Sequence, residues 1–478
     1  MEVATIVTTV FYAYLLFVII FLLLDNRDSA SMFSWLLVFF FLPFVGLFMY
    51  LFFGRNWRIK KLTNQQFDKY SSVLLGSVLS CEHDRIVRLA KKTPGAKKVL
   101  ELLRNNSNSV LTTDNDVRLL LSGKQKFASL KKDLLLAKNF IHLEYFIWRD
   151  DSLTNELKDI LVLKAREGVE VRCLYDAFGG FFLSRKYKQE LRAAGVQMYS
   201  SFKFLTPFRF HLANYRNHRK IVVIDGRVGY VGGMNLGEEH ISGGKRFSSW
   251  RDLHARISGE AVLTLQGVFV TTWFDSVKED LFSKKYFPDT KPTKKSYCPV
   301  QVTTSGPDST WDSIKQLYFS CVTNATKNVF IYTPYFIPDQ SMFLALKTAA
   351  LSGVDVRVMM TGCPDKNLPF WAANTYFPEL IQAGVKVYQY QKGFMHAKAV
   401  IVDSTFCSLG TANLDTRSFY LNYELNVMLY DKKLARKLED EFLLDINYSR
   451  QITASLLEQR NLFVRLRDSI ARLFAPLL

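Results

Sequence analysis

The chain opens on two stretches that carry no charge. Residues 3–24 (VATIVTTVFYAYLLFVIIFLLL) and 32–53 (MFSWLLVFFFLPFVGLFMYLFF) each run for 22 uncharged positions. About 20 suffice for a helix to cross a bilayer. The connector DNRDSAS holds one Arg beside two Asp, whereas GRNWRIKK after the second stretch holds Arg55, Arg58, Lys60 and Lys61. Positive charge marks the cytoplasmic side. The pattern therefore predicts a transmembrane hairpin over 1–60, with both ends and the rest of the chain in the cytoplasm: a multi-pass protein of the cell (plasma) membrane. A cleaved leader fits poorly, because there is no basic start, the apolar run is long and a second one follows.

Residues 61–110 are mixed and polar, with helical patches such as DRIVRLAKK and KKVLELLRNN, and read as a linker or helical region. From 111 onward apolar runs of strand length alternate with helical stretches, and the alternation repeats. NFIHLEYFIW (139–148) matches NVFIYTPYFI (328–337), AREGVEVRCLYD (165–176) matches ALSGVDVRVMMT (350–361), and RAAGVQMYSS (192–201) matches IQAGVKVYQY (381–390). Strand, helix, Gly-turn and strand in each block predict two tandem α/β/α sandwich domains with parallel-rich sheets, over 111–295 and 296–450. A basic amphipathic helix is expected over 451–478.

The repeat carries a chemical signature. HRKIVVIDGRVGYVGGMN in the first half answers to HAKAVIVDSTFCSLGTAN in the second: H-x-K-x4-D, six residues, a small pair, one residue, Asn. Residues two apart on a strand face the same side, so His218 points with Lys220 and His396 with Lys398. A histidine beside a fixed cation suits attack on phosphorus, the cation holding phosphate oxygens while imidazole supplies the lone pair. The pairs Gly232-Gly233 and Gly410-Thr411 offer close backbone approach to a ligand, and Asn235 and Asn413 offer amide donors to the same oxygens. Asp225 and Asp403, five residues beyond each lysine, fit holding the motif strand better than touching phosphorus. A histidine nucleophile also needs a carboxylate on its other nitrogen. Each half supplies one: Asp252 lies 34 residues after His218, and Glu424 lies 28 after His396.

Composition narrows the partner. Lys plus Arg is 62 against 44 for Asp plus Glu, a net charge of +18, which fits nucleic acid or an anionic membrane. The uncharged amino-terminal stretches favour the membrane. Six cysteines without a C-x-x-C pair argue against a zinc site and a disulfide framework. No carboxylate cluster has metal spacing, so neither metal nor cofactor is expected.

The paired motif resembles the phospholipase D superfamily, whose two halves join to make one active site. The hairpin ending in YLFFGRN and the tail RLFAPLL are similar to the bacterial cardiolipin synthase branch, and the resemblance covers essentially the whole chain. It implies metal-independent phosphatidyl transfer between two phosphatidylglycerol molecules through a phosphatidyl-histidine, with His218 as nucleophile and His396 as acid and base. The implied partners are phosphatidylglycerol and anionic membrane lipids, with no nucleic acid. A membrane-tethered nuclease, or a phospholipase using water or another alcohol, remains the alternative. Gly233 departs from the Ser or Thr of many relatives, which should weaken a phosphate contact.

Two further features concern the surface. Segments 178–187 (FGGFFLSRKY) and 201–212 (SFKFLTPFRFHL) alternate Phe with basic residues and read as membrane-dipping loops. In the tail, Leu462, Leu466, Ile470, Leu473, Phe474 and Leu477 recur at helical steps, with Arg460, Arg465, Arg467 and Arg472 elsewhere on the surface. Such a helix either lies in an anionic interface or docks on the catalytic domain through its apolar face.

Overall fold

The computed structural model describes residues 2–24, 29–42, 45–46, 50, 82–201, 214–289 and 297–477. Arg55, Arg58, Lys60, Lys61 and residues 202–212, named above, lie outside the described residues. The amino-terminal unit contains helices Glu2–Leu24 and Ser29–Phe41. Val18, Leu22, Phe39 and Tyr50 form its small core, where Trp35 meets Tyr50 edge-on at 5.0 Å. The first helix coincides with the first predicted span, while helix in the second reaches only Phe41 before undescribed positions interrupt it. The side chains at positions 7, 15 and 23 also lie outside the described set. Among the described residues, no helix is long and apolar enough to cross a membrane.

The repeat forms two sheets. In the first half the strands are β1 (Asn115–Leu120), β2 (Phe140–Tyr145), β3 (Glu170–Asp176), β4 (Gln197–Ser201), β5 (Arg216–Asn217), β6 (Lys220–Ile224), β7 (Val228–Gly232), β8 (Trp250–Arg251) and β9 (His254–Gly259). In the second they are β10 (Val300–Ser305), β11 (Asn328–Tyr332), β12 (Phe336–Ile337), β13 (Asp355–Thr361), β14 (Lys386–Tyr390), β15 (Phe394–Met395), β16 (Ala399–Val402), β17 (Phe406–Gly410), β18 (Leu414–Asp415), β19 (Asn422–Leu429) and β20 (Ser449–Ile452). The orders are β1-β9-β7-β6-β2-β3-β4 and β10-β19-β17-β16-β11-β13-β14-β20, with β5 added to β19.

Only part of each sheet is parallel. The runs β2-β3-β4 and β11-β13-β14 are parallel, but the motif strands β6 and β16 run antiparallel to both neighbours. The reason is the short turn after each motif: two strands joined by a few residues can only pair antiparallel.

The unbroken apolar run of the motif strand follows from burial on both faces. Ile221 and Val223 enter a central core, whereas Val222 and Ile224 enter the outer core of the first half. In the second half Ala399 and Ile401 point to the same central core, and Val400 and Val402 to an outer one. That central core draws on both halves, setting Phe269 and Trp273 with Met395, Leu425 and Val427. Part of the stretch read as a linker is also structural. Helices Glu82–Lys92 and Lys97–Ser107 place Ile86, Leu89, Val99 and Leu103 in the outer core of the second half.

Asp225 and Asp403 sit at the far end of their strands, roughly 16 Å from the lysine by strand rise. Each turns the chain in the left-handed region, at φ 52 and 51. Asp225 accepts from the backbone N–H groups of Lys138, Asn139 and Phe140 at 2.7–2.9 Å. Asp403 does the same for Thr326, Lys327 and Asn328 at 2.6–3.1 Å. These aspartates stitch the motif strand to the start of β2 or β11, and neither reaches its histidine. Asp225→Ala should therefore cost about 1–3 kcal/mol of stability through unpaired N–H groups. A lowered denaturation midpoint, with turnover per folded molecule nearly unchanged, is the expected outcome. Unchanged stability with lost turnover would contradict the strand-holding role.

Candidate functional site

The two short strands next to the histidines cross between halves. β5 pairs parallel with β19, setting Asn217 opposite Tyr423, and the His218 N–H donates to Tyr423 O at 2.9 Å. The residue after Tyr423 is Glu424, whose carboxylate meets His218 Nδ1 at 2.9 and 3.0 Å. β15 pairs parallel with β8, setting Met395 opposite Arg251, and the His396 N–H donates to Arg251 O at 2.8 Å. Asp252 follows, with Oδ2 at 2.7 Å from His396 Nδ1. Each histidine is thus held by the carboxylate of the other half. The sequence counted each carboxylate from the histidine of its own half; in the structure each one meets the histidine of the other.

Burial sets the protonation. It pushes the His218 ring down to about 4, helped by Lys220 and Lys398 and opposed by Glu424. His396 is likewise driven well below its usual value by burial, then by Lys398, Lys220 and His218. Both rings are therefore neutral at pH 7. For His218, with Nδ1–H on the ionised Glu424 carboxylate, Nε2 keeps its lone pair. For Glu424, burial pushes upward, but His218, Lys220 and the Thr411 hydroxyl prevail and hold it below its usual value. For Asp252, burial prevails over Lys398 and His240 and raises the carboxyl. Burial also lowers the lysines, Lys220 to about 7 and Lys398 to about 8. Each ammonium donates to its own histidine's carbonyl at 2.6 Å.

The small pairs make room for protein, not for a ligand. A Cβ built on Gly233 falls 2.1 Å from Asp252 Oδ1, and one on Gly232 lies 2.6 Å from the His254 backbone. One on Gly410 meets Asn426 Oδ1 at 2.2 Å. Thr411 donates its hydroxyl to Glu424 Oε2 at 2.5 Å. At the matching position Gly233 has no hydroxyl, and Asp252 occupies the space a side chain would fill. Asn235 accepts through Oδ1 from Ile147 N–H at 3.2 Å, which leaves its Nδ2 as the amide donor. Asn413 differs: its Nδ2 donates to Asp415 Oδ2 at 2.9 Å, and its Oδ1 is buried without a partner.

Other side chains fix the histidines without a motif to announce them. Asp176, at the end of β3, accepts from Asn217 N–H at 2.8 Å, and Glu144 accepts from Asn217 Nδ2 at 2.7 Å. Arg251 is tied to Asp445 and Glu441 at 2.8 and 2.7 Å. His240 is buried, its ring 6.1 Å from that of His396, and its Nε2 accepts from Asn235 N–H at 3.1 Å. His254 is fully buried at the start of β9. Among the described residues, no group of three or more His, Cys, Asp or Glu could hold a metal ion.

The family description "Cardiolipin synthase, PLD-like domain" matches residues 130–244 and 318–446, and "Phospholipase_D-nuclease N-terminal" matches residues 10–55. A cardiolipin synthase of Alkalihalophilus pseudofirmus is 42% identical, over 98% of this chain and 93% of its own. The major cardiolipin synthase of Bacillus subtilis is 40% identical over the full length of both. The crystal structure of a phosphatidylserine synthase from Haemophilus influenzae shares the fold, with a TM-score of 0.61 at 15% identity, covering 80% of this chain and 100% of that one. On these sequence matches over nearly its whole length, the chain belongs to the cardiolipin synthase family of phospholipase D-like proteins.

Proposed function

We propose that the chain transfers a phosphatidyl group from one phosphatidylglycerol to another, giving cardiolipin and glycerol. The observation that carries this reading is the pair of neutral imidazoles, each with Nδ1 on a carboxylate from the opposite half and a buried lysine beside it. His218 suits the nucleophile, because Glu424 is held ionised, fixes the Nδ1–H tautomer and leaves Nε2 bare. Its Nε2 bonds to phosphorus as the bond from phosphorus to the glycerol oxygen breaks, and His396 gives that oxygen a proton. His396 suits this role because burial raises its partner Asp252: with that carboxyl protonated toward Nδ1, Nε2 carries the N–H it gives up, while Nδ1 takes the Asp252 proton and leaves Nε2 bare for the second step. In the second step His396 takes the proton from a hydroxyl of the incoming phosphatidylglycerol. The new P–O bond forms as the P–N bond breaks. Lys220, Lys398 and the Asn235 amide supply the donors for the charged oxygens.

The amino-terminal stretches 3–24 and 32–53 would anchor the protein in the plasma membrane as a hairpin. The basic run at Arg55, Arg58, Lys60 and Lys61 would place both catalytic halves on the cytoplasmic side.

Because one site needs both halves, His218→Ala and His396→Ala should each lower turnover by roughly three orders of magnitude or more. Half-activity in either variant would sink the shared site. The crossed pairing has its own readout. Glu424→Gln should shift the imidazole NMR signals of His218, and Asp252→Asn those of His396; the reverse pattern would contradict it. Chelator should leave transfer intact, since lysines provide the charge. Finally, an anion raises the pKa of both lysines, and at pH 7.5 Lys220 (about 7) is mostly deprotonated and Lys398 (about 8) partly so. Binding of vanadate should therefore take up protons. Calorimetry in buffers of different ionisation enthalpy measures the uptake, and proton release would refute the assigned charge states.

A further inference from the structure

The carboxy-terminal helix Leu462–Leu473 packs the wrong way round for a docked amphipathic helix. Its buried residues are Asp468 and Ala471, 2% and 1% exposed, whereas Leu462, Phe463, Leu466 and Leu473 are 75, 81, 56 and 77% exposed. Asp468 anchors the polar side. It accepts from Asn374 Nδ2 at 3.2 Å and from Arg467 at 2.6 and 2.9 Å, and it pairs with Arg460 at 3.6 Å. Arg467 lies over the Trp371 ring and Arg472 over Tyr376, at 4.6 and 4.4 Å. Of the four arginines, Arg460, Arg467 and Arg472 thus contact the protein, while Arg465 and Arg472 remain exposed. The apolar stripe faces out, and beside it Leu368 and Trp371 join Phe463, Leu466 and Ile470 around a groove of ≈ 290 Å³.

This helix rests on helix Asn367–Ala373, which begins directly after β13 and its turn. That turn borders the site: the Lys366 charge acts on His396, and Arg246 of the first half donates to the carbonyls of Asp365 and Pro364 at 2.6 and 2.9 Å. The repeat places the turn after β3 at the equivalent position in the first half. There Asp176 accepts from Phe178 N–H at 2.9 Å while its other oxygen holds Asn217, next to His218. Phe178, Phe181 and Phe182 in this turn are 57, 66 and 76% exposed. Both rims of the histidine site therefore carry outward apolar clusters at the carboxyl ends of equivalent strands. At the opposite ends the exposed apolar residues are aliphatic: Leu135 and Leu136 before β2, and Leu351 before β13.

We infer that this mouth face, formed by the Phe178–Phe182 turn and the apolar side of helix Leu462–Leu473, lies on the bilayer surface, so that the phosphodiester enters the site while its acyl chains stay in the membrane. The inference rests on the lipid-substrate reading. The occupant is a bilayer because two apolar clusters, far apart in sequence, lie on the two turns that reach the histidines, and the chain's net charge of +18 suits an anionic surface. Side chains of this kind sink about 5–10 Å into the headgroup boundary.

The test uses the full chain reconstituted in bilayers of phosphatidylglycerol and phosphatidylcholine, with a fluorescent amino acid placed at position 182, 463 or 351. Lipids bearing a nitroxide on the acyl chain should quench the probe at 182 and 463 and spare it at 351. Equal quenching at all three, or none at 182 and 463, overturns the inference. So does disulfide cross-linking of Phe463→Cys between two copies without quenching at 463, which would make a second copy the occupant. Leu466→Glu with Ile470→Glu should lower turnover of bilayer phosphatidylglycerol roughly tenfold or more, and leave turnover of dissolved short-chain phosphatidylglycerol unchanged. Equal loss on both substrates also counts against the surface. A chain inert on both lipids would instead refute the transfer reading, while the quenching pattern still decides the surface.

Discussion

The crossed contact between each imidazole and the carboxylate of the opposite half is the interaction on which the rest of this structure depends. His218 against Glu424 and His396 against Asp252 are buried pairs. Removing one partner from such a pair leaves a buried polar group unsatisfied and costs about 1–3 kcal/mol. The pairs form only if β5 lies along β19 and β15 along β8, so the two halves have one permitted arrangement. The shared apolar core supplies the driving force for association, and the crossed pairs select its register.

The same cluster explains why the site is poised for an anion. Two lysines, two histidines and two carboxylates sit at 0–9% exposure, where water cannot solvate them. Burial answers by lowering the lysines toward neutral pH and keeping the rings uncharged. An entering phosphodiester brings the charge that lets the lysines protonate fully. Fixed donors then stabilise it without solvent reorganisation. Gly233 belongs to this economy of space: only without a Cβ does Asp252 reach its place beside His396.

The two halves have also diverged around their common plan. Glu424 is supported by Thr411, whereas Asp252 has Gly233 at the matching position and takes Leu253 N–H on Oδ1 at 2.7 Å. His254 stands where the second half has Asn426, which is fully hydrogen-bonded to Tyr318, Ser408 and the Thr411 and Ala412 amides. Glu424 is held low in pKa and Asp252 is raised, so a duplicated frame yields two chemically unequal sites.

Sequence alone determined the α/β duplication and the histidines and lysines that meet. Those signals are local: periodicity of apolar residues, and side chains two apart on one strand. It also placed Asp225 and Asp403 as strand-holders, since a residue five positions on lies at the other end of a short strand. Tertiary structure decided what spacing along the chain does not encode. The partners of the two histidines arrive from 206 and 144 residues away, beside two-residue strands too short to leave a pattern. The small pairs proved to clear space for carboxylates because a glycine's neighbour is set by the adjacent strand, not by the chain. The tail helix showed its periodicity in sequence, yet which face it buries was fixed by Asp468 finding Asn374, Arg460 and Arg467. Periodicity gives a helix two faces, and only the packed neighbours choose between them.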